Sequence, residues 1–208
     1  MILAFIGIGQ VGFALAHALQ QKGHHIIVAV DRPSETVSKA LSQNANFEAK
    51  PLQEAIDRAE VVFLATPFQA NEMLLQSLRF NGKILVDCTN PVGPGISHGL
   101  MSTISGSEKV QEWAPDALVV KAFTIYGFEN FADSTFPGYN VKPVMMMAGN
   151  DRAAKDTVAS LVTDLGYEPL NTGALDQALH LEHMTLLWVK MVRRDKHHPG
   201  LVWAKLER

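Results

Sequence analysis

Three glycines, Gly7, Gly9 and Gly12, stand in the spacing G-x-G-x-x-G within FIGIGQVG. That spacing suits a diphosphate. The first glycine permits a tight turn, the second lets backbone approach the anion, and the third lets helix and strand pack closely. Ile8, Gln10 and Val11 fill the intervening positions and complete the candidate binding turn. N–H groups left free at a helix start add partial positive charge to the same anion. Further on, VAVDRPSE carries Asp31, Arg32 and Ser34, about 20 residues past the glycines, where a nucleotide ribose lies in such folds. A carboxylate there bonds the ribose 2′-hydroxyl and repels a phosphate, whereas a guanidinium attracts the phosphate or stacks on adenine. Asp31 therefore favours NAD, and Arg32 with Ser34 as a further donor favours NADP. On the residues alone, the reading is NAD.

Two later segments belong to the same chemistry. Thr66 and Pro67 in LATPFQ follow the presumed fourth strand, with Thr66 placed to cap the next helix and Pro67 to sit in its first turn. Thr89, Asn90 and Pro91 in DCTNPVG follow the fifth, where an amide or hydroxyl can bond a ribose or a carboxamide. Both segments also read as ordinary turns, since Thr-Pro and Asn-Pro mark turns widely. In HLEH, His180 and His183 are one helical turn apart but bring too few ligands for a metal, so packing or solvent exposure is expected and no metal site is assigned. Nothing orders the serines, histidines and acids as a hydrolase.

The elements that must position these residues alternate. ILAFI precedes a helical spacing at Val11, Ala14, Leu15, Ala18 and Leu19, and HIIVAV, VVFLAT and KILVDCT follow as apolar runs separated by helical patterns. ALVVKAF and KPVMMMAG read as two more strands, with a Gly/Pro-rich loop and a polar stretch through Glu112 before them. Apolar runs separated by helices predict a doubly wound, mostly parallel α/β sheet of Rossmann type, covered on both faces. We place a dinucleotide-binding domain at residues 1–149 and a C-terminal helix-strand-helix extension at 150–208. Asn150 or Asp151 caps the first helix of that extension and Gly166 ends it. The last helix, from Ala174 to about Arg193, is apolar on several sides. It is a candidate homodimer interface, or a helix buried within the monomer.

The chain's 208 residues carry a net charge of −3 with 47% hydrophobic and 19% charged residues, ordinary for a soluble globular protein and without general attraction to nucleic acid or anionic membrane. No apolar run predicts a membrane span, and the N-terminal run lacks the basic flank of a secretory signal. Cys88 is the single cysteine, which excludes an intrachain disulfide and a cysteine-based zinc site and leads us to expect a cytoplasmic setting.

The segments FIGIGQVGFALAHALQQKGHHIIVAVDRPSE, VVFLATPFQA, VVKAFTIYGFENFAD, VMMMAGND and PLNTGALDQALHLEHMTLLWVKM together resemble the NADP oxidoreductases that use the deazaflavin coenzyme F420. The glycine motif is common to many Rossmann proteins. ATPFQA and the pattern around Gly173, Leu175, Leu181, Glu182, Met184, Leu187 and Trp188 are more particular to that family. The resemblance implies NADP lying across the strand ends, with a deazaflavin or flavin-like second substrate taking hydride from it. Lys121, Thr124 and Tyr126 then become candidates to line the hydride-transfer side, Lys121 orienting an acceptor and Tyr126 stacking or donating a bond. Their alternative reading is a surface lysine, a turn threonine and a packed tyrosine. Family members commonly carry a small polar residue where this chain has Asp31, which keeps NAD open beside NADP. Free flavin, quinone or ferric chelate as acceptor, and a non-catalytic nucleotide-binding regulator, are the competing readings.

Overall fold

The computed structural model describes residues 1–208. β1 (Ile2–Ile6) turns through the glycines into α1 (Gln10–Gln21), which buries Leu15, Ala16, Ala18 and Leu19 on one face, and β2 (His25–Val30) follows. Ser34 caps α2 (Glu35–Gln43), its hydroxyl accepting from the Val37 N–H at 3.3 Å. β3 (Phe47–Pro51), α3 (Leu52–Arg58) and β4 (Val61–Leu64) come next. A single 3-10 turn at Phe68–Ala70 then leads into α4 (Asn71–Gln76) and β5 (Ile84–Asp87).

The Gly/Pro-rich loop holds a small hairpin, β6 (Val92–Gly93) with β7 (Ser97–His98). The polar stretch after it is not wholly loop. It contains α5 (Gly106–Trp113), started by a capping box in which Ser105 and Glu108 satisfy each other's backbone N–H groups. β8 (Leu118–Lys121), β9 (Val144–Gly149), α6 (Arg152–Asp164), β10 (Glu168–Asn171) and α7 (Ala178–Val189) complete the chain. Asp151 caps α6, accepting from the Ala154 N–H at 2.7 Å, and Gly166 follows its end with φ +87°. The long C-terminal helix expected from Ala174 to Arg193 is divided into a 3-10 turn at Leu175–Gln177, α7, and a π turn at Lys190–Arg194.

The eight strands of the main sheet run in the order β10-β9-β8-β5-β4-β1-β2-β3. β3, β2, β1, β4, β5 and β8 are mutually parallel, and β9 pairs antiparallel to β8. The segment between β8 and β9 carries only a 3-10 turn at Phe128–Asn130, so it lacks the crossover helix that a parallel return needs. Strand residues split alternately between the two faces. Leu3 and Phe5 join the layer of α1, α6 and α7, whereas Ala4 and Ile6 join that of α3, α4 and α5. Each fully buried side chain of this kind contributes roughly 1.5–3 kcal/mol. Residues 150–208 share this core: β10 extends the same sheet, and Val158, Leu161 and Trp188 sit in one cluster with Leu3 and Phe5. Strand order reverses between β1 and β4, which opens a crevice at the carboxyl ends of those strands.

Candidate functional site

A cleft of about 1030 Å³ occupies that crevice. Its walls are the ends of β1 (Ile6, Gly7, Ile8, Gly9), β2 (Asp31, Arg32, Ser34) and β4 (Thr66, Pro67), joined by Leu52, Met73 and Leu74 farther out. Gly7 has φ +93°, and a Cβ there would lie 2.7 Å from the Ala65 carbonyl carbon and the Thr66 nitrogen. A Cβ at Gly12 would collide with the Gly7 carbonyl oxygen. Gly9 differs, because nothing stands within 4 Å of the place its Cβ would take. Two glycines thus close the turn, and the third leaves room for a ligand at the N-terminus of α1. This cradle fits a diphosphate.

Asp31 and Arg32 are both exposed on the cleft wall, so neither is withdrawn from a ligand. Ser34 is the N-cap of α2 and Thr36 lies in its first turn beside the cleft, so the start of a second helix faces the same space. A guanidinium, a serine hydroxyl and a helix N-terminus make this corner suited to a phosphate despite Asp31.

Thr66 does not cap the following helix as its sequence context suggests. Pro67, rather than starting that helix, precedes the 3-10 turn, and no side chain caps the turn or α4. The Thr66 hydroxyl instead donates to Asn71 Oδ1, and Asn71 Nδ2 donates to Thr89 Oγ1 at 3.4 Å. Thr89 in turn donates to Asp87 Oδ1 at 2.7 Å. The carboxylate fixes the direction of the whole chain, since it only accepts. Thr66 therefore offers the cleft acceptor lone pairs, which suit a ribose hydroxyl or a carboxamide N–H rather than a phosphate.

The remaining predicted residues lie off the cleft wall. Gln10, Val11 and Gly12 form the start of α1 behind the turn. Thr89 and Pro91 are buried, Asn90 is half-buried, and all three sit at the end of β5. Lys121 is neither a surface lysine nor free to meet an acceptor. It is completely buried, pairing with Asp87 Oδ2 at 3.3 Å and Glu182 Oε1 at 3.1 Å and donating to the Thr89 carbonyl. Burial alone would lower its pKa, but the two carboxylates raise it above the ordinary lysine value. Tyr126 is packed inside, stacked on Tyr167 at 6.0 Å, its hydroxyl donating to the Val144 carbonyl and accepting from the Trp203 N–H. Its ring and hydroxyl are committed to the fold. Thr124 is buried too. Its Oγ1 and Asn90 Oδ1 are two of the three buried side-chain polar atoms without a partner, and they stand beyond the ends of the adjacent strands β8 and β5. Phe123, beside Thr124, takes φ +57°, a strained value for a non-glycine residue of the kind that collects at functional sites.

Sequence reasoning passed over Asp87, His98, Ser107 and Asn71, and named Glu182, the acid of HLEH, only as part of the family pattern. His180 and His183 face solvent, whereas Glu182 points inward to His98 Nε2 at 2.8 Å. The signal available was a charged residue closing each apolar run ILVD and LVVK, and one acid inside an apolar helix. Charges in such places need partners.

Comparison with known proteins follows this geometry. Residues 2–91 match the family described as NADP oxidoreductase coenzyme F420-dependent. The rat metalloreductase STEAP3 is 29% identical over 188 residues, covering 88% of this chain and 36% of that protein, so the chain spans about a third of that relative's length. The F420-dependent NADP reductase of Methanothermobacter marburgensis is 26% identical over 202 residues and 89% of each chain. The crystal structure of a proposed F420-dependent NADP reductase from Arthrobacter sp. FB24 superposes with a TM-score of 0.80 at 24% identity, over 100% of this chain and 99% of that one, which shows the shared fold.

Proposed function

We infer that this chain, whose residues 2–91 match the family of coenzyme F420-dependent NADP oxidoreductases, is an NADPH-dependent reductase that exchanges hydride with a deazaflavin of the F420 type. The carrying observation is the cleft at the sheet's switch point, with an open cradle at Gly9 and a phosphate-suited corner at Arg32 and Ser34. When bound, the nicotinamide supplies the hydride. The protein's part is to hold and orient: the glycine turn on the diphosphate, the α2 corner on the 2′-phosphate, Thr66 on a donor group of the nicotinamide half. Catalysis by this arrangement is chiefly proximity.

The match to a metalloreductase supports a second reading, in which the acceptor is a ferric chelate or a free flavin. An acceptor panel separates them. Deazaflavin reduction without ferric or flavin reduction supports the first reading, and the reverse replaces it. Dinucleotide binding with no turnover on any acceptor favours a regulatory module instead. Titration with NADPH and NADH by calorimetry tests the cofactor, with NADPH expected to bind more tightly. Arg32→Ala is expected to weaken NADPH roughly ten-fold or more, the loss of one charge-assisted hydrogen bond, while changing NADH little. Tighter NADH binding, relaxed by Asp31→Ala, assigns NAD instead.

A cytoplasmic placement and a homodimer through α7 are part of the same proposal. The placement rests on the absence of any disulfide, with the single Cys88 buried and free. No helix is long and apolar enough to cross a membrane. The dimer rests on Leu187, 49% exposed on a helix whose Leu181, Leu186 and Trp188 are buried within the monomer. Sedimentation of the chain and of its Leu187→Glu variant decides it.

A further inference from the structure

Behind the cleft lies a buried ionic cluster whose charges do not cancel. Asp87 Oδ1 accepts from the Thr89 N–H and hydroxyl at 2.9 and 2.7 Å, and its Oδ2 from Ser107 Oγ at 2.6 Å and Lys121 Nζ at 3.3 Å. Glu182 accepts from Lys121 at 3.1 Å and from the Gly106 N–H at 2.9 Å, and meets His98 Nε2 at 2.8 Å. His98 Nδ1 accepts from the Leu100 and Ser102 N–H groups at 3.3 and 3.2 Å. That network assigns the imidazole proton to Nε2, so the ring is neutral and donates to Glu182. Every neighbour of either carboxylate is then a donor, the partner set of a carboxylate that only accepts. Lys121 spends its N–H groups on Asp87, Glu182 and the Thr89 carbonyl, as an ammonium does. Two carboxylates against one ammonium leave a single negative charge, in side chains no more than 2% exposed.

This charge lies behind the strand ends across which the reacting half of a dinucleotide would extend. With the adenosine half at Asp31 and Arg32 and the diphosphate at the glycine turn, the nicotinamide half extends the other way, across the ends of β4 and β5. Asp87 closes β5, and the chain Thr66–Asn71–Thr89 runs from the cleft wall to its carboxylate. Asn90 Oδ1 and Thr124 Oγ1, both unpartnered, stand at the same strand ends. A nicotinamide ring is neutral when reduced and carries a positive charge once hydride has left with its electron pair. A buried anion attracts only the second form, and in a poorly screened interior that attraction persists at moderate range.

We propose that the excess negative charge of the Asp87–Lys121–Glu182 cluster biases the site toward the oxidised nicotinamide and so makes the bound reduced form a stronger hydride donor. The inference rests on the dinucleotide reading above. It is tested by binding alone. NADP+ and NADPH are titrated separately into the wild type, Glu182→Gln and Asp87→Asn by calorimetry, with melting curves to confirm folding. The wild type is expected to bind NADP+ more tightly than NADPH. Each variant removes one unit of charge, and the NADP+ to NADPH affinity ratio is expected to fall roughly ten-fold. His183→Gln, which changes no buried charge, keeps the wild-type ratio. An unchanged ratio in a folded Glu182→Gln or Asp87→Asn protein overturns the inference. Should neither variant fold, the wild type still decides: weaker binding of NADP+ than of NADPH refutes it. Wild type that binds neither nucleotide removes the dinucleotide reading itself, an outcome distinct from an unmoved ratio.

Discussion

Gly7 and Gly9 are two residues apart and answer to different demands, which a pair of substitutions separates. Gly7 sits at φ +93° against the backbone of Ala65 and Thr66. Alanine there must adopt a left-handed conformation and displace main chain, so Gly7→Ala is expected to destabilise the fold by more than about 2 kcal/mol in urea denaturation. Gly9 has φ −70° and open space before it. Gly9→Ala is expected to leave stability within about 0.5 kcal/mol, as for an unstrained surface change, while its methyl group projects into the cradle and weakens dinucleotide binding. If Gly9→Ala binds NADPH as well as the wild type does, the diphosphate does not lie on this turn. The glycine motif made both positions legible in the sequence. The open space that marks Gly9 as the ligand's glycine is a tertiary fact. The direction of the Thr66 hydroxyl is another, since it depends on Asn71 and on the carboxylate of Asp87 beyond Thr89.

At the scale of elements, α7 is tied to three others through one side chain. Glu182 reaches Lys121 on β8, the first N–H of α5 and His98 on β7, so the helix is keyed to the sheet and to the loop around β6 and β7. Lys121→Met leaves two carboxylates buried without their cation, a change expected to cost roughly 3–5 kcal/mol in equilibrium unfolding. A loss below about 1 kcal/mol, the range of an exposed pair, means the cluster is solvated. Apolar periodicity announced α7 and α6, because their buried faces repeat at helical spacing, and it announced most strands as unbroken apolar runs. It was silent on β3, whose burial alternates and which ends in Pro51, and on α2, where Ala40 is the one buried residue. α5 is mostly polar, yet SGSE spells its capping box, so its start was legible from chemistry where hydrophobicity failed. The ionic cluster was not legible, because its members are 87, 98, 121 and 182 in sequence and only the doubly wound topology brings them together.

For the whole molecule, three of the buried groups, Tyr126, Tyr167 and Lys121, shape how stability depends on pH above about 10. Tyr126 and Tyr167 stack on each other. The Tyr126 hydroxyl joins the β9 strand to Trp203 in the C-terminal segment, and the Tyr167 hydroxyl donates to the Asn130 carbonyl at 2.5 Å. Burial disfavours both phenolates and pushes both pKa values well above the ordinary 10.0. For Lys121 burial acts in the opposite sense, but Asp87 and Glu182 outweigh it and its pKa stands above 10.5. All three groups hold their protons more tightly in the folded chain than in the unfolded one. Their contribution is therefore complete below about pH 10 and is lost as pH rises through the folded values, because above pH 10 the unfolded chain binds fewer protons. The melting temperature is expected to be insensitive to these groups from pH 6 to about 9 and to fall steeply above pH 10. Tyr126→Phe separates the contributions. It loses the bond to Val144 and costs about 1 kcal/mol at neutral pH, yet it unfolds less steeply with rising pH because one titrating group is gone. An alkaline slope equal to that of the wild type would mean that Tyr126 stays protonated in neither state or in both, and that the Tyr126–Tyr167 stack is not the part of the core that base attacks.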